Sequence, residues 1–202
     1  MLKQSRAGKA SQKWAARLLG GIPLSPDQVT LLALALAIAG FFALAAGQFW
    51  AAFLIFILSA LCDLADGVIA RLRKQASARG AFLDGTTDRL VEFFLLFGLL
   101  FYPSWPSLLG LAGACWIVAL LFFGSCLTAF VPAYAYYRGI RLQAEWEGFL
   151  PRPERLALML LSIALLSFGQ SFLALAVIAL ATLLSIATAI GRIGYFYSNA
   201  RK

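Results

Sequence analysis

Apolar residues run through this chain in six long blocks, roughly 29–47, 50–70, 88–102, 107–134, 154–169 and 171–191, each near the ~20 residues that a bilayer-crossing helix requires. The breaks between them are of two kinds. Those after the first, third and fifth blocks (Gly47-Gln48, YPSWPS and SFGQS) carry no charge. Those after the second and fourth carry Arg71, Arg73, Lys74 and Arg79, and then Arg138, Arg141 and Arg152 with Arg155 at the next block. The chain ends on Arg201 and Lys202, with Arg192 at the end of the last block. Basic loops stay on the cytoplasmic side of a membrane. The pattern therefore predicts six transmembrane helices, with both termini and both basic loops cytoplasmic. Residues 1–20 hold Lys3, Arg6, Lys9, Lys13 and Arg17 interleaved with Leu2, Ala10, Trp14, Leu18 and Leu19. That mixture predicts a basic amphipathic helix on an anionic membrane surface. The expected class is an all-α integral membrane protein, with an interfacial segment over 1–20 and a six-helix domain over 21–202.

Composition agrees. Of 202 residues 62% are hydrophobic, against about 45–50% in soluble domains. The chain sits in the cell membrane on this reading, and no nucleic-acid partner is expected. The three cysteines are an odd number beside apolar segments, which speaks against a disulfide framework. There is no histidine. Any acid–base or metal chemistry falls to carboxylates.

Five of the nine acidic residues lie between Cys62 and Glu92. Asp63 and Asp66 are three apart at the end of the second helix, and Asp84 and Asp88 are four apart near the start of the third. Each pair shares a helix face. The hairpin can bring the pairs together, and four converging carboxylates in low dielectric require cations. Two arrangements supply them. Neighbouring arginines could lock the hairpin by ion pairing, or the carboxylates could hold hard cations such as Mg²⁺ or Mn²⁺, with room for two ions. Ionisable groups within a membrane favour the functional arrangement. Gly67, Ala70, Gly80 and Gly85 leave space beside the carboxylates, and Arg71 is placed to meet a phosphate or to anchor a lipid headgroup. Glu92 continues the Asp84–Asp88 stripe and suits a partner for Arg89.

The series Asp63-x2-Asp66-Gly67-x2-Ala70-Arg71-x8-Gly80-x3-Asp84-x3-Asp88 resembles, at all eight positions, the motif of the CDP-alcohol phosphotransferase family. SPDQVT at 25–30 resembles that family's opening before its first helix, with Asp27 in place of the usual Asn, and equally suits a helix cap. The resemblance implies six transmembrane helices, an N-terminal amphipathic helix and a homodimer. It implies a CDP-linked donor bound through its diphosphate, attack by an acceptor hydroxyl, and departure of CMP. Asp63, Asp66 and Asp84 are then metal ligands. Asp88 is the catalytic base and also a ligand of the second ion, and Asp63, Asp66, Gly67, Ala70, Arg71, Gly80 and Asp84 line the nucleotide site.

LDGTTDRL at 83–90 departs from the family's glycerol-phosphate branch at Gly85 and Arg89, and is similar to the phosphatidylinositol-phosphate and archaetidylinositol-phosphate synthase branch. The acceptor there is an inositol phosphate. Arg155, in RPERL, is the leading candidate for its phosphate, with Arg141 and Arg192 beside it, and each also suits a positive-inside anchor. The same chemistry with a CDP-inositol donor, or with glycerol 3-phosphate or serine as acceptor, stays open. A divalent-cation transporter would need polar residues deeper along the other helices, and these lack them.

Overall fold

The computed structural model describes residues 23–103, 105, 110–140, 146 and 148–200. The expected amphipathic helix over 1–20 and Arg141 lie outside the described residues. Within them the secondary structure is helical: α1 (Pro26–Ala45), α2 (Phe49–Leu72), α3 (Ala78–Leu99), α4 (Gly110–Tyr137), α5 (Arg152–Ser167) and α6 (Ser171–Asn199). Four of these, α1, α2, α4 and α6, are long and apolar enough to cross a bilayer. The chain is thus a multi-pass membrane protein.

Local chemistry sets the helix ends. Ser25 caps α1 in a reciprocal box with Gln28, and Pro26 takes the first helical turn, where no N–H is needed. The two uncharged hairpin turns use one device. Gly47 and Gly169 both adopt φ +73°, and the following glutamine N–H reaches back to Ala43 and Leu165 at 2.9 and 2.8 Å. This left-handed glycine closure ends α1 and α5 and turns the chain directly into α2 and α6.

Two boundaries differ from the sequence expectation. α3 starts at Ala78, well before residue 88, capped by Ser77, whose hydroxyl accepts from the Gly80 N–H at 3.1 Å. Its polar opening turns give no hydropathy signal, so only the cap marks them. Asp84 and Asp88 consequently lie inside the helix rather than at its start. α6 continues to Asn199, which places Arg192 within it.

α1 packs on α2 and α3, α5 joins α2 to α6, and α4 lies along α6. Burial on α1 follows the helical spacing Val29, Ala33, Ala37, Gly40, Leu44. Lipid supplies no hydrophobic drive between helices, so close approach and interhelical hydrogen bonds hold them. Ser59 Oγ donates to the Ala33 carbonyl at 2.7 Å. A Cβ on Gly40 would sit 2.8 Å from the Phe56 ring. Gly40→Val is expected to destabilise the fold by about 1–3 kcal/mol through overpacking, read as a lower midpoint of thermal unfolding in detergent; an unchanged midpoint would show the α1–α2 contact to be loose.

Candidate active site

The charged ends of α1, α2, α3 and α5 meet at one end of the bundle. Arg73, just past α2, donates to the Leu24 carbonyl at 2.7 Å and ties the start of α1 to this end. Asp63 comes from α2, and Asp84 and Asp88 come from α3. One oxygen of each lies within 4.8 Å of the others. Ionised, such carboxylates repel on the order of 4 kcal/mol per pair at an effective dielectric of about 20.

Asp66 stands one turn further along α2, outside this triad. It is 5% exposed and accepts a hydrogen bond of 2.5 Å from Thr30 of α1. Beside it opens a cleft of about 190 Å³, walled by Asp66, Gly67, Ala70, Arg71, Gly80 and Asp84. Six of the seven residues expected at a nucleotide site thus share one cavity, and Asp63 stands behind it in the triad. A Cβ on Gly67 would meet only the Arg71 guanidinium, at 3.9 Å, and one on Gly85 would meet nothing within 4 Å. Helix packing does not demand these glycines, so their use is to keep the space open. Asp27 also borders the cleft, with its carboxylate 4.0 Å from the exposed Arg79. An ion pair that open to solvent contributes little.

Arg152, which reads in the sequence only as one more loop charge, reaches into the triad. Its Nη1 lies 3.1 Å and its Nη2 3.3 Å from the two Asp63 oxygens. Nη2 also contacts Asp88 Oδ1, and Nε stands 3.8 Å from Glu92. The available signal was its position three residues before Arg155, hence on the same face of α5.

Behind Arg152 lies a buried polar knot. Glu92, 1% exposed, pairs with Arg155 at 2.9 Å and with Arg89 at 3.3 Å, and accepts from the Ser125 hydroxyl of α4. Arg89 is the partner expected for Glu92. Arg155 is itself 2% exposed, so its guanidinium is committed to Glu92 rather than turned into the cleft. Arg192 donates to the Thr128 carbonyl, which joins α6 to α4.

The triad fits a hard divalent cation. Its donors are all carboxylate oxygens, a set that selects Mg²⁺ or Mn²⁺ over softer metals. Asp88 Oδ1 is buried and has no hydrogen bond, only the charge contact with Arg152. An oxygen in that state can exchange the guanidinium for a metal cation.

The family model for CDP-alcohol phosphatidyltransferase matches residues 24–188, which contain every residue of the triad and the cleft. The chain is 33% identical over 145 residues to phosphatidylinositol phosphate synthase of Mycolicibacterium smegmatis, covering 70% of this chain and 62% of that protein. It is 44% identical over 77 residues to the bifunctional IPC transferase and DIPP synthase of Rubrobacter xylanophilus, covering 38% of this chain and 18% of that one. It therefore spans less than two thirds of the length of these relatives. The crystal structure of Mycobacterium tuberculosis phosphatidylinositol phosphate synthase with CDP-DAG bound superposes with a TM-score of 0.74 at 25% identity, covering 94% of each chain. The same enzyme in complex with manganese and citrate gives 0.74 at 25% identity, over 92% of this chain and 88% of that one. With residues 24–188 of its 202, and so its whole acidic cluster, inside the family pattern, the chain belongs to the CDP-alcohol phosphatidyltransferase family.

Proposed function

We propose that this protein is a metal-dependent phosphotransferase of phospholipid head-group synthesis. It moves a phosphatidyl-type group from a CDP-linked lipid to a hydroxyl of inositol 1-phosphate and releases CMP. The observation that carries this reading is the open cleft walled by Asp66, Gly67, Ala70, Arg71, Gly80 and Asp84, placed against the Asp63–Asp84–Asp88 triad. The mycobacterial relatives bear the name phosphatidylinositol phosphate synthase, and one was solved with CDP-DAG, which supports both the donor and the acceptor.

Asp63, Asp66, Asp84 and Asp88 would hold two divalent ions, Mg²⁺ or Mn²⁺. When bound, these polarise the donor diphosphate and offset charge on the departing CMP. The protein supplies the rest. Gly67, Ala70 and Gly80 leave room for the cytidine nucleotide, and Arg71 meets a phosphate with its planar fork. Asp88 accepts the proton of the attacking hydroxyl, as a carboxylate base in a chain without histidine. Arg141, Arg155 and Arg192 make the acceptor side positive. Arg155 does so through its field, since its Nη2 is held by Glu92.

In the membrane, we place all six helices across the bilayer, with residues 1–20 on its surface and the protein as a homodimer. Arg71, Arg73, Lys74, Arg79, Arg138 and Arg152 cluster at the ends of α2 and α4 and the starts of α3 and α5, while the opposite turns at Gly47 and Gly169 carry no charge. That asymmetry favours a cytoplasmic site and cytoplasmic termini.

The deciding experiment measures CMP release from CDP-diacylglycerol with inositol 1-phosphate, glycerol 3-phosphate, serine and free inositol in turn. Stimulation by inositol 1-phosphate is expected, and its absence overturns the acceptor assignment. CDP-inositol serves as the competing donor, because the Rubrobacter relative is named as a DIPP synthase. The cleft has its own test. Gly67→Val fills open space without touching another helix, so nucleotide binding is expected to fall about tenfold or more (~1.4 kcal/mol per factor of ten) at an unchanged unfolding temperature. Unaltered binding of CDP would remove the nucleotide from this cleft.

A further inference from the structure

We infer that Arg152 is a tethered cation that competes with a divalent ion for Asp63 and Asp88, and that Glu92 is the carboxylate that draws it away. The inference rests on the metal reading above and adds a residue that reading does not use.

Three features carry it. First, Arg152 bridges two members of the triad, bidentate on Asp63 and in contact with Asp88. A guanidinium in that position supplies the counter-charge that the clustered carboxylates need, so the triad can stay assembled before an ion arrives. The same lone pairs cannot serve the guanidinium and a metal together.

Second, Arg152 is built to move and its neighbour is not. Its side chain is 26% exposed and it is the first residue of α5, whereas Arg155 is 2% exposed and held at 2.9 Å by Glu92. A cation at a helix N-terminus also gains nothing from the helix dipole.

Third, a second station exists. Arg152 Nε is buried with no hydrogen bond and stands 3.8 Å from Glu92 Oε1, beyond bonding distance. A small rotation that releases Asp63 and Asp88 brings Nε onto Glu92, satisfying the orphaned donor. Arg89 and Arg155 already pair with Glu92, so Glu92 holds Arg152 less firmly than the triad does until a divalent ion occupies the triad.

The test is Mn²⁺ binding to the full-length purified protein, followed by electron paramagnetic resonance without substrate. Arg152→Gln is expected to tighten Mn²⁺ binding about tenfold, the effect of removing one opposite charge from a carboxylate pair. Arg152→Lys, whose single ammonium cannot span both carboxylates, is expected to tighten it less, and decides the matter if the glutamine variant does not fold. Glu92→Gln is expected to weaken binding in the presence of Arg152, and by a smaller factor in the Arg152→Gln background. Unchanged or weaker Mn²⁺ binding in both Arg152 variants overturns the competition. An equal effect of Glu92→Gln in both backgrounds overturns Glu92 as the second station. A wild-type protein that binds no Mn²⁺ overturns the metal reading and this inference with it, whereas Mn²⁺ binding indifferent to Arg152 overturns the inference alone.

Discussion

Asp88→Asn is expected to lower CMP release by about 10²–10⁴-fold, the usual worth of a positioned general base. The substitution keeps the shape of the side chain and removes its ability to take a proton. Asp88 sits inside α3, one turn from Asp84, and its Oδ1 is buried without a hydrogen bond. Once Arg152 is displaced from it, that oxygen can accept from a hydroxyl delivered to the triad. The cleft wall of Gly67, Ala70, Arg71 and Gly80 does not include Asp88, so nucleotide binding is expected to survive in the variant. Equilibrium binding of CDP, measured beside single-turnover CMP release, separates the two effects. Near-normal turnover in Asp88→Asn would remove the base assignment, and loss of nucleotide binding in parallel would make Asp88 a ligand of the donor complex instead.

Removal of divalent ions is expected to abolish turnover without unfolding the protein. The three carboxylates of the triad lie within 4.8 Å of one another and depend on cations to stay together. With the ions chelated, Arg152 pairs with Asp63 and Asp88, and Glu92 keeps Arg89 and Arg155, so the bundle has its internal counter-charges. Activity is then expected to return on adding Mg²⁺ or Mn²⁺. Thermal unfolding in chelator, set against CMP release before and after adding the metal, tests both halves. Full turnover in chelator overturns the metal reading. Unfolding in chelator would show that the arginines do not suffice to hold the triad.

The aspartate cluster was legible in the sequence because helical periodicity puts residues three and four apart on one face, and a basic loop folds the two helices back to back. The wall of the cleft was legible too, since small residues at helical spacing beside carboxylates mark space rather than packing. Asp66 shows the limit. Its spacing from Asp63 says that the two share a face, but only α1 crossing α2 supplies Thr30, which binds Asp66 and sets it apart from the triad. The start of α3 was missed because its first turns are polar, and a membrane pattern detects apolar length, not caps.

Sequence alone thus determined the elements that depend on near neighbours: long apolar helices, charged and uncharged breaks, glycine turns, and the register of each carboxylate on its own helix. Tertiary structure alone decided which cation meets which carboxylate. Arg152 and Arg155 stand three apart on one helix face, yet Arg152 enters the triad while Arg155 is sealed against Glu92. That choice depends on how α5 settles between α2 and α3. Partners from 63 to 89 residues away in the chain make it, and no local pattern encodes it.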